Sequence, residues 1–457
     1  MVEQLVLHHD GRNKLQIASS FSGSVTMIKT LSVSNIGPSK QIDLSFGSRL
    51  NVITGDNGLG KSFLLDLIWF AMTRQWPQEV NPGLTSGSVA RPNSPKKKSS
   101  INAVIQGAQK EAKVATSYST ETDRWVFNKG KPVSPGLVFY LMADGSFAVW
   151  DSERNRPSRD SEEPPPAFVL SNKQVFNGLD GEGDAKLCNG LIADWATWSD
   201  SRSYAALAEQ MDAVLKVLSP VGESYSAGLP VRVGISDSRR VPTIKMPYGT
   251  EVPITQASSG IKRIAELAYM FVWSVNEHAE IAKLKGKNID TRVTVLIDEV
   301  ESHLHPRWQR SIVPALLEAI KVLYKQSGAS VSTQLIVTTH SPLVMSSIEG
   351  SFDSKLDKWF DLDFDDGNVL ITNRDYYPLG SIENWLTSKA FDLQTTYSRE
   401  AEKVLQKAKM LLQRERIKRS EVIEMTNELS SVLPEMDPYW ICWNAEIYRR
   451  GLRNDPS

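Results

Sequence analysis

The 457-residue chain sets 52 Lys and Arg against 53 Asp and Glu, a formal net charge of −1, with 41% hydrophobic residues. That balance excludes a protein that coats nucleic acid by bulk charge, so any DNA contact needs a local basic patch. The cysteines, Cys188 and Cys442, make neither a disulfide framework nor a metal site and fit a reducing cytoplasm. No apolar run reaches the ~18 residues of a membrane span.

Residues 1–26 carry His8, His9, Asp10 and Arg12 where a signal peptide would need an apolar stretch, and read as an unprocessed N-terminal segment. Met27–Ile36 and Gln41–Phe46 read as strands split by a turn at Gly37-Pro38. Leu50–Thr54 is an apolar strand and Ser62–Thr73 a helix. Pro, Gly, Ser and the Lys96–Lys98 run mark a loop or disordered segment over Gln75–Ser100. Strands follow at Ile101–Ile105, Lys113–Tyr118, Leu137–Met142 and Phe147–Trp150, the last two joined by a hairpin turn at Asp144-Gly145. A Pro-rich loop spans Asp151–Pro166. Leu187–Trp198 and Ser203–Leu218 read as helices, with strands near Val231–Ile235 and Thr243–Met246. Without sustained heptads, 76–254 is expected to be a compact α+β insertion lobe. Ile261–Asn276 and Arg307–Lys325 are helical. Val293–Ile297 and Leu335–Thr339 suit a buried parallel sheet, and Asp361–Thr372 a hairpin turning at Asp366-Gly367. The tail, 376–457, is helical and charged.

Gly55-Asp56-Asn57-Gly58-Leu59-Gly60-Lys61-Ser62 fits G-x-x-x-x-G-K-[ST] and lies between a strand and a helix. Backbone N–H groups freed by Gly55, Gly58 and Gly60, and that of Asn57, can wrap phosphates. Lys61 offers a point charge to the β- and γ-phosphates of ATP, and Ser62 a hydroxyl to Mg²⁺. Val293–Ile297 delivers Asp298 and Glu299 at its end. Asp298 is placed to hold Mg²⁺ through water and Glu299 to orient the attacking water. His340 ends the next strand, where an imidazole can contact the γ-phosphate. Ser258-Ser259-Gly260 opens a helix, and its free N–H groups suit an anion.

These elements, in this order, resemble the RecF, SMC and OLD branch of ABC ATPases over roughly 27–75 and 255–375. Glu301-Ser302-His303-Leu304-His305-Pro306-Arg307-Trp308-Gln309 is similar to the E-x-H-L-H-P-x-W-Q segment of bacterial AAA15/AAA21-like ATPases. Asp144–Asp151, Cys188–Trp195, Asn384–Ser388 and Asp437–Trp440 look like the subgroup holding ATPase subunits of Septu-type anti-phage systems, which act with a separate HNH nuclease subunit.

The resemblance implies an ABC head of the α/β class, with a mixed sheet and P-loop core in two lobes, 27–75 and 255–375, and a partner-docking tail. It implies a homodimer or higher homo-oligomer in which Ser258 and Gly260 bind the γ-phosphate held by the opposite subunit. Ala257, Ser259 and Ile261 depart from the usual Leu-Ser-Gly-Gly-Gln. ABC heads also carry a Mg²⁺-sensing glutamine, for which Gln106 is the candidate. Glu301, His303 and His305 admit a metal reading or, as the resemblance implies, a loop crossing the dimer seam. The acidic run from Asp361 reads as an edge strand rather than a nuclease site, so the chain is expected to be a slow ATPase with its effector on another polypeptide. A stand-alone RecF-like DNA-repair ATPase and a transporter nucleotide-binding subunit are the alternatives.

Overall fold

A computed structural model describes residues 25–128, 132–155, 165–325 and 328–452. Nearly all of the expected N-terminal segment and much of the Pro-rich loop near 160 lie outside these residues. The strands that carry the argument are β1 (Ile28–Ser34), β2 (Gln41–Ser45), β3 (Leu50–Gly55), β4 (Ser100–Gln106), β5 (Glu111–Ser119), β6 (Arg124–Phe127), β7 (Leu137–Leu141), β8 (Phe147–Asp151), β9 (Phe168–Leu170), β10 (Arg292–Ile297), β11 (Ser332–Thr338), β12 (Lys358–Asp365) and β13 (Asn368–Arg374). The main helices are α1 (Lys61–Thr73), α2 (Leu191–Asp200), α3 (Ala205–Val217), α4 (Ser259–Leu284), α5 (Ile312–Lys325), α6 (Arg399–Leu412), α7 (Arg419–Val432) and α8 (Tyr439–Arg449).

Eight strands form the central sheet in the order β13-β12-β3-β11-β10-β7-β8-β9. The inner five, β12 through β7, are mutually parallel. Their sequences are apolar at successive positions because both faces are covered. Val295, Ile297, Leu335, Val337 and Phe139 pack with α3, α4 and α5 on one side. The intervening Leu296, Ile336, Val138 and Tyr140 pack on the other side with α1 and a second, antiparallel sheet of order β2-β1-β4-β5-β6. Period-two alternation thus feeds two cores. Gln334, fully buried, ties the sheets together. Its amide accepts from the Ile28 N–H at 2.9 Å and donates to the Ile28 and Gly47 carbonyls at 3.0 and 2.7 Å.

The segment expected as an insertion lobe is divided. Strands β4–β6 complete the sheet begun by β1 and β2, and β7–β9 extend the central sheet past β10. Only the stretch beyond residue 171, with α2, α3 and short hairpins, adds a layer over α4. The Gln75–Ser100 segment is a packed loop with Leu84 and Ala90 buried. The hairpin at Asp366-Gly367 forms as expected, both residues taking left-handed backbone (φ 43 and 75). Its edge strand, however, is β13. β12 lies between β3 and β13, and its Asp361 is buried, accepting from Thr54 Oγ1 and Arg374 Nε, each at 2.6 Å. The expected helix over Arg307–Lys325 is interrupted after one turn, Pro306–Gln309, and resumes as α5. Helices α6–α8 enclose a separate small core that includes Leu411, Leu429 and Trp443.

Candidate nucleotide site

Parallel strands present all their C-terminal ends along one sheet edge, where open α/β sheets place ligands. β3 runs into the glycine loop, and α1 begins at Lys61. Gly55, Gly58 and Gly60 have φ of 133, 81 and 95, which side-chain-bearing residues rarely adopt. A Cβ on Gly55 would also sit 2.3 Å from the Leu362 carbonyl oxygen on β12. Asp56, Asn57, Gly58 and Ser62 are exposed, whereas Lys61 is buried and folded over the loop, its Nζ donating to the Gly55 and Asp56 carbonyls at 2.8 Å each. Burial lowers the pKa of Lys61, and the charges of Asp298, Glu299, Glu301 and Asp56 oppose that shift. That set of neighbours places the lysine near Asp298 and Glu299, together with Asp56 and Glu301.

β10 carries Asp298 and Glu299 to the same edge. Asp298 is buried, its N–H donates to the Leu141 carbonyl at 2.9 Å, and its Oδ1 accepts from Thr338 Oγ1 at 2.7 Å. The same Thr338 oxygen accepts from the Glu299 N–H at 2.8 Å. One hydroxyl at the end of β11 therefore fixes both acidic residues. Glu299 takes left-handed backbone, φ 47, a strained conformation that persists only when its surroundings fix it. Among the described residues its carboxylate has no hydrogen bond or ion pair, which leaves it free for water. His340 follows β11 and is half-buried. Burial and the Lys61 charge lower its pKa against the pull of Asp298 and Asp56, which favours the neutral imidazole.

Ser258 caps α4 without a side-chain bond to the helix, and Ser258 and Ser259 are exposed. Gly260 is buried against the loop after β10. A Cβ there would meet the His303 carbonyl oxygen at 2.8 Å, so this contact requires glycine. His303 (φ 62) and His305 are exposed, and His305 caps the Pro306–Gln309 turn. Glu301 turns away from both histidines. Its Oε1 accepts from the His340 N–H at 2.5 Å and its Oε2 from Thr339 Oγ1 at 2.7 Å. Trp308 anchors the loop from behind, donating to the Leu218 carbonyl at 3.0 Å and stacking on Tyr225.

The structure does not bring Gln106 to this edge. It ends β4 in the second sheet, its amide donates to the Gly107 carbonyl, and its own carbonyl accepts from Arg292 Nη1. Arg292 begins the strand that Asp298 follows. At roughly 3.3 Å per residue, that is about 20 Å from the acidic pair. The strand next to β10 is β7, whose outlet is Met142–Asp144.

The family described as "AAA domain, putative AbiEii toxin, Type IV TA system" (AAA_21) matches residues 50–346, more than half of the chain, from the strand before the glycine loop to the helix after His340. The chain belongs to this family. It is a nucleotide-binding ATPase. A retron Ec83 probable ATPase of Escherichia coli is 23% identical over 386 residues, 67% of each chain. Septu protein PtuA of Bacillus thuringiensis is 23% identical over 329 residues, 69% of this chain and 72% of that protein. Septu protein PtuA of Bacillus mycoides (strain KBAB4) is 34% identical over 117 residues, 25% of this chain and 14% of that protein. Among solved structures, the SMC head domain from Thermotoga maritima is similar over 77% of this chain with 16% identity and a TM-score of 0.39.

The donors fit Mg²⁺: the Ser62 hydroxyl and the Asp298 carboxylate are hard oxygen ligands, the kind Mg²⁺ takes alongside phosphate and water. Thr338 and Glu301 escaped the sequence reading. Thr338 lies in the apolar run of its strand. Glu301 sits beside two histidines that suggested different company. No helix among the described residues is long and apolar enough to cross a membrane.

Proposed function

We propose that this AAA_21 ATPase is an ATP-gated switch. Two heads sandwich two ATP molecules, and the switch controls a separate nuclease subunit in a bacterial anti-phage system. The observation that carries the ATP-sandwich reading is the division of the site. Lys61, Asp298, Glu299 and His340 converge on one strand edge, while Ser258 and Ser259 stay exposed and the Ser258 side chain makes no bond to its helix. An exposed turn with a free hydroxyl at a helix N-terminus is suited to the phosphate of another subunit.

In this reading Lys61 neutralises the β- and γ-phosphates. Ser62 and Asp298 would hold Mg²⁺, which would supply positive charge against the triphosphate. Glu299 orients the attacking water, and neutral His340 donates to the γ-phosphate. Ser258 and the Gly260 backbone of the opposite head complete the cage, so turnover reports dimerisation. Slow hydrolysis suits a conformational role. The relatives named Septu PtuA and retron ATPase support the defence reading, and an HNH-type nuclease is the partner that the Septu-like segments imply. α6–α8, with their own core, are the proposed docking region.

Glu299→Gln tests the site. The amide is nearly isosteric but cannot serve as a base, so phosphate release should fall by at least about 100-fold. Mg-ATP should still bind and should shift the protein to twice its mass in light scattering. Turnover at the wild-type rate would remove Glu299 from the mechanism, and an unchanged mass would remove the sandwich.

A further inference from the structure

We propose that Glu301 is a positioning residue for ATP hydrolysis: it clamps the backbone at His340 and makes the loop after β10 the setting device for the γ-phosphate contact. The activity part of this proposal rests on the nucleotide-site reading above.

The loop grips the residues on both sides of the histidine. Glu301 accepts from Thr339 Oγ1 and from the His340 N–H, at 2.7 and 2.5 Å. Gln309, at the far end of the same loop, accepts from Ser341 Oγ at 2.7 Å and donates back to the Leu304 carbonyl at 2.9 Å. Thr339 Oγ1 also accepts from the Ser341 N–H at 3.0 Å, closing the network. The His340 imidazole makes none of these bonds and stays available for phosphate.

The carboxylate of Glu301 is not a second general base. Both oxygens are taken by donors, and the side chain is largely buried, which raises its pKa against the lowering by those two bonds. A buried carboxylate committed to a backbone N–H sets geometry, because charge-assisted bonds are short and directional. The loop it belongs to is itself set from outside. The His303 carbonyl lies against Gly260 in the first turn of α4, too close for any side chain there. The chain of contact runs from the exposed Ser258 turn, through Gly260 and His303, to Glu301 and His340. A phosphate captured by Ser258 from another head would press on the element that aims the histidine of this one.

Glu301→Ala, Glu301→Gln, His340→Ala and the Glu301→Ala/His340→Ala double variant decide the matter. Glu301→Gln keeps an acceptor oxygen for the His340 N–H, and Thr339 can rotate to accept from its amide. We expect Glu301→Ala to lower kcat at least about tenfold with KM for ATP within about threefold, and Glu301→Gln to recover most of the loss. The double variant should be no slower than His340→Ala within about twofold, because residues acting through one another are not additive. Amide exchange over Thr339–Ser341 should quicken in Glu301→Ala and not in Glu301→Gln. Multiplicative losses, or a Glu301→Ala variant as fast as the wild type, would overturn the proposal. If the wild type itself shows no turnover, the functional reading fails instead. The exchange measurement still decides the clamp, and unchanged protection in Glu301→Ala would reject it.

Discussion

The phosphate edge of the central sheet and the C-terminal helices α6–α8 are built by opposite means. The edge gathers residues from β3, β10 and β11, the first lying hundreds of positions before the other two, and holds buried charge at Lys61 and Asp298 with Glu301 half-buried beside them. It contains left-handed backbone at Glu299 and His303, neither of them glycine. The C-terminal helices are stabilised by neighbours in sequence. Their core includes Ala401, Ala408, Leu411, Val422, Leu429, Trp443 and Ile447, and their ion pairs, such as Arg449 and Arg450 with Glu446, lie at the surface. Strain and buried charge are costly and survive only where the fold over-determines them. Their concentration at one edge separates the chemical region from the supporting one.

If that contrast is real, each region can be disturbed without the other. The largest effect is expected from Trp443→Ala. Trp443 is buried, and its Nε1 donates to Thr426 Oγ1 at 3.1 Å. Its loss should cost about 3–5 kcal/mol, more than a three-helix unit can spare. Limited proteolysis should then cut within 399–449 while ATP turnover stays within about twofold of the wild type. A parallel loss of turnover would show that the two regions are one cooperative unit and would break the comparison.

A smaller effect sharpens the same contrast from the other side. Asp66 in α1 is buried, with the Tyr140 hydroxyl at 2.8 Å as its one hydrogen-bond donor among the described residues, and burial pushes its carboxyl from 3.8 up to about 7. The folded protein therefore keeps a proton that the unfolded chain has already released. Its stabilising contribution is complete below pH 3.8 and is lost as pH rises through about 7. Asp66→Asn keeps an acceptor for Tyr140 and should remove that dependence, raising the nucleotide-free melting temperature at about pH 8 by a few degrees, by less at about pH 5, and leaving it nearly unchanged only near or below the unfolded value of 3.8. An unchanged melting temperature at pH 8 would mean that the buried charge is already compensated.

The sequence showed most of this edge, because its motifs are short and each is read along one strand end. The P-loop, the acidic pair and His340 needed only local context. Pairing between distant strands was not legible. Ile101–Ile105 reads as a strand, but nothing in it says that it joins β1 rather than the central sheet, so the sequence alone does not show that Gln106 lies away from the nucleotide edge. Strands within 76–254 read as an insertion because alternation gives faces and not neighbours. Glu301 meets a backbone group 39 positions later, and its burial is invisible in a run of polar residues.

Each ATP site is proposed to need two heads. Ser258→Arg places a bulky cation on the exposed turn and should leave ATP binding to the same head intact while stopping turnover. Lys61→Ala removes the ammonium charge that faces the phosphates in the other half of the site. In a mixed dimer one site carries both lesions and the other carries neither. Mixing the two inactive proteins, with subunit exchange followed by fluorescence, should restore measurable phosphate release. A Ser258→Arg protein that turns over ATP alone at the wild-type rate would contradict the claim.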